Sequence, residues 1–244
     1  KCVNALGERR LPRVQLNNPH RLQKLVDDPD RLTPYNVCGI IRSMCREHVR
    51  KLTDEPGGNW HRHIYRIFYY DAPPFLGQAH HPLTGRQINY AKSDQAAFQQ
   101  ELFLQLKKQR NMALRLGTLS KLNGWTINSD RLVKLLRSKS LFEELASIKP
   151  LTDGSVNLTP QQAATIQTQA KHWAELEDWM AQLDLRQKGV DMRIGLDIAS
   201  ITLKKLAKTI ILIAGDADFV PAAKLARRDG MQFILDPLWQ SVSD

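Results

Sequence analysis

The sequence predicts an α/β fold in which helices flank a parallel β-sheet. Apolar segments with the length of buried strands alternate with amphipathic helical segments, and this alternation is typical of the class. The last quarter contains a complete strand, helix and strand, written TIILIA, DFVPAAKLARRDG and MQFILD. A helical crossover joins strands that run in parallel. Asp218 is the expected N-cap of this helix, and Gly230 follows its end.

The first half of the chain supplies two further helices and a strand. Residues 36–52 carry apolar side chains at helical spacing and predict an amphipathic helix. The stretch HIYRIFYYDAPP is rich in β-branched and aromatic residues and ends in two prolines, so it predicts a buried strand that runs into a loop. Residues 93–117 predict one long helix that begins at Ser93 or Asp94.

The middle of the chain predicts a helical addition to this sheet. We expect residues 93–182 to form a largely helical segment that is inserted in the domain or packed at its side, within a single domain that spans residues 1–244. In this segment TLSKLNGWTI predicts one or two short strands. Residues 161–183 predict another helix, with Trp173 in the core.

Composition restricts the partners and the compartment. Lys and Arg number 35 against 25 Asp and Glu, which gives a net charge of +10 and favours an anionic partner such as nucleic acid over a merely basic surface. The three cysteines, Cys2, Cys38 and Cys45, form no CxxC pair, which indicates a reducing compartment and argues against a disulfide or zinc framework. No apolar run approaches the roughly 18 residues that span a bilayer, and no signal peptide opens the chain. These features predict a soluble, cytoplasmic protein.

Four aspartates fall at the C-terminal ends of predicted strands: Asp71, Asp216, Asp218 and Asp236. Ligands bind at that edge of an open parallel sheet. Asp216 and Asp218 are one residue apart, so their side chains point to the same side of an extended backbone. Converging carboxylates repel each other, and a divalent cation such as Mg²⁺ or Mn²⁺ keeps them ionised. The alternative is that Asp218 only caps a helix and Asp216 only solvates a loop.

Asp191 adds weight to a metal site. It opens a predicted buried helix over residues 188–208, and a third carboxylate beside the same edge is what a shared cation needs. Asp197 lies about 120° further round that helix, so a surface or packing role is expected for it. Lys188 either contacts a phosphate or is one more solvated lysine. The seven histidines show no HExxH or similar spacing, which predicts loop or RNA-contacting roles rather than metal ligation.

Three motifs carry a family resemblance. The segments RQKGVDMRIGLDIA and IILIAGDADFVPAAKLARRDG, with YRIFYYDAPP ahead of them, resemble the NYN family of PIN-like nucleases, in particular its LabA-type branch. The motifs occur in the same order as in that family. The resemblance implies a Rossmann-like PIN fold with a parallel sheet, and RNA as the substrate.

The resemblance also implies roles for individual residues. Asp191, Asp216 and Asp218 match the family's acidic positions and would be the catalytic ligands of Mg²⁺ or Mn²⁺. Asp71 falls in the family's strand motif, close enough to the site to support it. Asp71 and Lys188 are the candidate substrate-binding residues. The implied reaction is hydrolysis of a phosphodiester bond, as in a metal-dependent RNA endonuclease. In this reaction the metal polarises the phosphate, lowers the pKa of a bound water and stabilises the leaving oxygen, and no side-chain nucleophile is required.

Two departures from the family pattern stand out. Ala217 replaces the small polar residue that is usual between the two aspartates, which removes no carboxylate. Family members open with a strand that ends in an aspartate, whereas KCVNALGERR resembles the helix that follows it. We therefore expect the first, central strand and one metal-ligating aspartate to be missing from the sequence upstream of Lys1. A natural protein without that strand would have impaired catalysis.

Two other functions compete with the ribonuclease. The first is a catalytically inactive RNA-binding or scaffold module of the same fold, which the basic segments REHVRK, KKQR and RLVKLLRSK favour. The second is a haloacid-dehalogenase-type phosphatase, because DADFV resembles the nucleophile motif of those enzymes. Only 26 residues follow Asp218, too few for the remaining phosphatase groups. The expected partner is RNA, with no membrane, and a homo-oligomer is compatible with the sequence.

Overall fold

The computed structural model describes residues 2–5, 33–53, 59–127, 129–214 and 216–238. The chain divides into two compact units. The first, here called the sheet unit, comprises Lys1–Gly77, Asn89–Ser120 and Arg186–Asp244. The second, here called the helical unit, comprises Gln78–Ile88 and Lys121–Leu185.

The helices of the described residues are α1 (Pro34–Thr53), α2 (Asp94–Lys107), α3 (Ser129–Leu136), α4 (Ser138–Ser147), α5 (Pro160–Ala174), α6 (Val190–Leu203) and α7 (Val220–Arg228). The strands are β1 (Cys2–Ala5), β2 (Arg66–Asp71), β3 (Gln78–His80), β4 (Gln87–Asn89), β5 (Met112–Leu116), β6 (Thr118–Ile127), β7 (Ala181–Lys188), β8 (Thr209–Ile213) and β9 (Gln232–Asp236). Short 3₁₀ turns cover Trp60–His63, Tyr90–Lys92, Asp178–Met180 and Ala217–Phe219. Among these helices, none has the length and apolar character that crossing a membrane requires.

The main sheet has five strands in the order β5, β2, β1, β8, β9. Strands β2 and β5 are parallel, and so are β8 and β9, which confirms the predicted unit of β8, α7 and β9. The central strand β1 is antiparallel to both β2 and β8. The prediction of a parallel sheet is therefore wrong for its central strand, β1. Because β2 and β8 both oppose β1, they run in the same direction, and four strands end at one edge of the sheet.

The helix predicted for KCVNALGERR is wrong for Cys2–Ala5, which form β1; the other residues of that segment lie outside the described residues. In the register of the sheet, Val3 pairs with Phe68 on one side and with Leu212 on the other. These pairings satisfy the backbone groups along the inner edges of both parallel pairs, which a helix at this place would leave unpaired. The upstream strand with a further aspartate stays a prediction.

Helices α1 and α6 both contribute buried side chains to the hydrophobic core of the sheet unit. Strand β8 is buried along its whole length, as expected for a central strand covered by helices. Helix α1 confirms the predicted amphipathic pattern, since its buried residues recur every three to four positions. The buried set comprises Val37, Cys38, Ile41, Cys45 and Val49 of α1, and Val190, Ile194, Ile198, Ile201 and Thr202 of α6.

The long helix predicted over residues 93–117 is too long. Ser93 caps α2 by accepting a hydrogen bond from the Ala96 N–H at 3.2 Å, as predicted, but α2 ends at Lys107. Asn111 then adopts a positive φ of 60°, which ends the helical path, and the next residues form β5. MALRL has the local propensity to form a helix, but it forms a strand because it pairs with β2 at the edge of the sheet. The interstrand hydrogen bonds of this pairing outweigh the local propensity.

The helical unit contains α3, α4 and α5. It also contains most of the residues of two small two-stranded sheets, β3 with β4 and β6 with β7. Strand β6 confirms the strand predicted in TLSKLNGWTI. The helix predicted for residues 161–183 ends early, at Ala174, and β7 begins at Ala181. Trp173 is 47% exposed, so its predicted place in the core is wrong. Trp173 lies in the last turn of α5. The apolar residues after it keep a helical spacing in the sequence, although the helix ends at Ala174.

Candidate functional site

Three of the predicted aspartates are presented by neighbouring elements of the sheet unit. Asp216 follows β8, Asp218 lies in the turn Ala217–Phe219, and Asp191 lies in the first turn of α6. That turn packs against both α6 and α7. Asp216 is half-buried, whereas Asp191 and Asp218 are exposed. The turn of the GDAD segment thus packs against the helix that the KGVD segment opens.

Asp216, not Asp218, provides the cap in the GDAD segment. Its Oδ1 accepts a hydrogen bond from the Asp218 N–H at 3.1 Å and so caps the turn Ala217–Phe219. Helix α7 starts only after this turn, with Pro221 in its first turn, where a missing N–H costs nothing. The predicted cap was therefore wrong by two residues. The exposed carboxylate of Asp218 is left for contacts other than capping.

The KGVD segment depends on a glycine. Gly189 has a φ of 76°, in the left-handed region that L side chains rarely adopt, and this residue turns the chain from β7 into α6. Gly117 approaches the same segment so closely that an added Cβ would lie 2.5 Å from the carbonyl oxygen of Lys188. The side chain of Lys188 is exposed at the end of β7. Two glycines thus determine where Lys188 and Asp191 are presented.

Asp71 lies at the C-terminal end of β2, as predicted, and is only 8% exposed. Its Oδ1 accepts hydrogen bonds from the Ala72 N–H at 2.8 Å and from Gln187 Nε2 at 3.2 Å. Burial raises the pKa of this carboxyl group, although the hydrogen bonds oppose that shift. The backbone carbonyl of Asp71 also accepts from the Gly117 N–H at 2.7 Å. Asp71 therefore supports the end of β7, next to Lys188.

Asp197 has the packing role that its place on the helix predicted. Tyr70 Oη donates to Asp197 Oδ2 at 2.6 Å, and Arg115 Nη2 donates to Oδ1 at 3.1 Å. The guanidinium of Arg115 also lies over the Phe68 ring, 5.5 Å from its centroid. These contacts connect α6 to β2 and β5.

His48 was missed by the sequence analysis. Its Nε2 lies 2.9 Å from Asp236 Oδ2, and this hydrogen bond lowers the pKa of Asp236. Asp236 Oδ1 also accepts from the Leu238 N–H at 3.0 Å. His48 stands among the basic residues of α1 without a motif around it. The only signal in the sequence was its position beside the buried Val49 on an amphipathic helix.

The described residues supply suitable donor atoms for a divalent cation but do not gather them. Carboxylate oxygens are the ligands that Mg²⁺ and Mn²⁺ prefer. Within the part of the chain that the structure describes, no group of three or more His, Cys, Asp or Glu side chains is close enough to hold a metal ion. The metal-ligating roles of Asp191, Asp216 and Asp218 stay predictions.

Comparison with known families decides between the candidate classes. A family model described as the NYN domain matches residues 111–237, slightly more than half of the chain. The chain belongs to the NYN domain family. Membership indicates a PIN-like α/β nuclease fold and ribonuclease activity, with RNA as the substrate. The match includes KGVD and GDAD but begins after the YYDAPP strand, and the LabA-type branch stays a prediction.

The search of curated proteins gives no match, and the search of solved structures gives none either.

Proposed function

We propose that this NYN domain protein is a divalent-metal-dependent RNA endonuclease, in which Asp191, Asp216 and Asp218 are the ligands of Mg²⁺ or Mn²⁺. The observation that carries the proposal is the packing of the turn Ala217–Phe219 against α6. This packing supports the proposal, because the GDAD turn contacts the helix whose first turn carries Asp191, although Asp191 and Asp216 are about 25 residues apart in sequence.

The chain's own residues have distinct roles in this proposal. A bound divalent cation supplies a Lewis acid for the phosphate and an activated water. Asp216 holds the GDAD turn through its bond to the Asp218 N–H, which leaves the Asp218 carboxylate exposed. Lys188, exposed at the end of β7, contacts a phosphate of the RNA. Asp71 acts as a positioning residue, because it holds Gln187 next to Lys188.

The positive charge of the chain supports a polyanionic substrate. A net charge of +10 concentrates RNA at the surface and accelerates its association, most strongly at low salt. The same charge also supports a protein of this fold that binds RNA without cleaving it. One observation favours that second candidate, namely that the described carboxylates do not form a group of three. Family membership favours both RNA-directed functions over the phosphatase.

The proposal is tested by incubating the protein with labelled RNA in the presence of Mg²⁺ or Mn²⁺. Asp191→Asn and Asp216→Asn should each lower the cleavage rate by at least about 100-fold, because each removes a charged ligand. Asp229→Asn is the matched control, since Asp229 is exposed after α7 and the substitution changes the charge equally. A circular RNA, which has no ends, tests the endonucleolytic mode.

Cleavage that survives both EDTA and Asp216→Asn would exclude this mechanism. Binding of RNA by the wild-type protein without cleavage would favour the non-catalytic alternative. Loss of cleavage in Asp229→Asn to the same extent as in Asp216→Asn would show a general effect of charge rather than a metal site.

A further inference from the structure

A pocket lies in the sheet unit near the N-terminal end of β2, whereas Asp71 is the last residue of this strand. Helix α1, the turn Trp60–His63 and the segment after α2 form it, and its volume is about 390 Å³. Its lining includes Tyr35, Gly39, Arg42, Arg46, Trp60 and Gln109. Trp60 precedes β2 and Gln109 precedes β5, so the pocket is near the N-terminal ends of these parallel strands. Asp71 lies at the other end of β2, a strand that is about 17 Å long at 3.3 Å per residue.

The pocket has a positive charge. Of the lining residues that the structure describes, Arg42 and Arg46 are the charged ones. Cys38 also lines the pocket, and burial raises the pKa of its thiol to about 11, so that the sulfur is neutral at pH 7. Within the described residues, neither arginine has a carboxylate as an ion-pair partner. The pocket therefore suits an anion.

The guanidinium of Arg42 is held in place before any ligand binds. Its Nη1 donates to Gln109 Oε1 at 3.0 Å, and its Nη2 lies 3.5 Å from His61 Nε2. Burial and the positive charge of Arg42 lower the pKa of His61, which keeps the imidazole neutral at pH 7. Because a guanidinium has five N–H donors, several remain for a ligand. A group that is already ordered loses less entropy when it binds an anion.

Hydrogen bonds connect the segments that form the pocket. Asn111 Nδ2 donates to the carbonyl oxygens of His61 and Ile64 at 3.1 and 3.0 Å. This side chain connects the turn that holds Trp60 to the start of β5. The pocket is thus part of the folded sheet unit and not a gap between loose segments.

Two basic segments that are far apart in the sequence meet here. Arg42 of α1 contacts Gln109 of the KKQR segment, 67 positions further along the chain. The flanking side chains of Lys107, Lys108 and Arg110 are exposed. Aromatic side chains also line the pocket. Tyr35 is 75% exposed and lies at the rim, whereas Trp60 is 9% exposed and lies deeper in the pocket. Cations beside an exposed ring are the groups that bind single-stranded nucleic acid.

We propose that this pocket binds one nucleotide of a single-stranded RNA, with a phosphate between Arg42 and Arg46 and the base against the Tyr35 ring. The choice of RNA as the ligand rests on the proposed function. The pocket is a second contact for the substrate, away from the aspartates that we propose for cleavage. It selects single strands, because a base that is paired in a duplex cannot enter it.

The test measures binding without cleavage. Fluorescence anisotropy of a labelled single-stranded RNA is followed in EDTA, with every variant made in an Asp216→Asn background. Arg46→Ala removes a cation and Tyr35→Ala removes the ring; each should weaken binding by about tenfold. Gly39→Phe keeps both arginines but fills the pocket, since an added Cβ at Gly39 has no atom within 4 Å, and a similar loss is expected.

Arg50→Ala is the matched control for charge. Arg50 lies on the same helix, is exposed and pairs with Glu47 at 2.9 Å, so its loss should weaken binding by less than about twofold. A duplex of the same RNA sequence should bind the wild type and Tyr35→Ala equally. The melting temperature of each variant shows that the fold is retained. Because Tyr35 and Arg46 are exposed, these two variants keep the test valid if Gly39→Phe does not fold.

The pocket proposal is overturned if Arg46→Ala and Tyr35→Ala bind RNA like the parent, or if Arg50→Ala loses as much affinity as Arg46→Ala. Its failure is distinguishable from failure of the nuclease. Metal-dependent cleavage by the wild type together with unchanged binding by the pocket variants removes only the pocket. Binding that depends on the pocket in a protein that never cleaves RNA removes only the nuclease.

Discussion

Tyr70 Oη donates a hydrogen bond of 2.6 Å to Asp197 Oδ2, and this contact connects the C-terminal part of strand β2 to helix α6. Tyr70 is completely buried, so its hydroxyl group is removed from water. Arg115 holds the other carboxylate oxygen of Asp197. Because α6 carries Asp191 in its first turn, the position of a proposed metal ligand depends on these contacts.

Tyr70→Phe should lower the free energy of unfolding by about 2 kcal/mol, the contribution of a hydrogen bond to a charged group. The ring stays, so no cavity forms, and Arg115 still compensates the carboxylate. Urea unfolding of both proteins measures the difference. Tyr35→Phe, which removes an exposed hydroxyl group, is the control and should change stability by less than about 0.5 kcal/mol. Equal stability of the two variants would contradict the prediction.

Asp71→Asn should stabilise the protein at pH 7. The folded pKa of Asp71 is raised by burial, so the group favours the folded state at low pH, and this contribution is lost as the pH rises from about 4 through the folded pKa. Asn retains Oδ1, which accepts both observed hydrogen bonds, and carries no charge to desolvate. We expect a gain of about 1 kcal/mol at pH 7 that disappears near pH 3.

Unfolding curves at several pH values check this prediction. Asp71→Ala is the control, since it removes the acceptor for Gln187 and the Ala72 N–H and should destabilise the protein at every pH. A stability difference between the wild type and Asp71→Asn that does not change with pH would be inconsistent with a raised pKa.

Asp236→Asn should destabilise the protein in the opposite pH range. The hydrogen bond from His48 lowers the folded pKa of Asp236, so its contribution is present above the unfolded pKa of about 4 and is lost as the pH falls through the folded value. The pair is partly exposed, which limits the effect to about 1 kcal/mol at pH 6. Thermal unfolding from pH 6 down to pH 2 measures it. A constant deficit over this range would exclude the ionised carboxylate as its source.

Two glycines should respond to alanine with opposite signs. Gly39 lies in α1 with no atom within 4 Å of an added Cβ, so Gly39→Ala should stabilise the helix by about 0.5 to 1 kcal/mol. At Gly117 the Cβ would lie 2.5 Å from the backbone oxygen of Lys188. We expect Gly117→Ala to destabilise the protein by about 2 kcal/mol or more, because a backbone atom has to move. It should also lower RNA cleavage by displacing Lys188.

Chemical denaturation and the cleavage assay together check this pair. Stabilisation by Gly117→Ala would show that Gly117 and the backbone of Lys188 can move apart without cost. Destabilisation by Gly39→Ala would show that this part of α1 is not a regular, open helix surface.

Several features could be read from local pattern alone. The unit of β8, α7 and β9, the amphipathic helix α1 and the cap at Ser93 all follow from residues that are close in sequence. The acidic motifs that carry the family assignment are also contiguous stretches. For these features a short window contains all the interactions that decide the structure.

The sequence by itself determined the family and the α/β class, because both depend on short motifs and on periodicity. Only the tertiary structure decided that Cys2–Ala5 lie antiparallel at the centre of the sheet and that residues 112–116 form a strand beside β2 instead of extending α2. It also decided that His48 meets Asp236 and that Arg42 meets Gln109. The physical reason is that periodicity shows which side of an element is buried, whereas its neighbour is set by hydrogen bonds and packing between segments far apart in the chain.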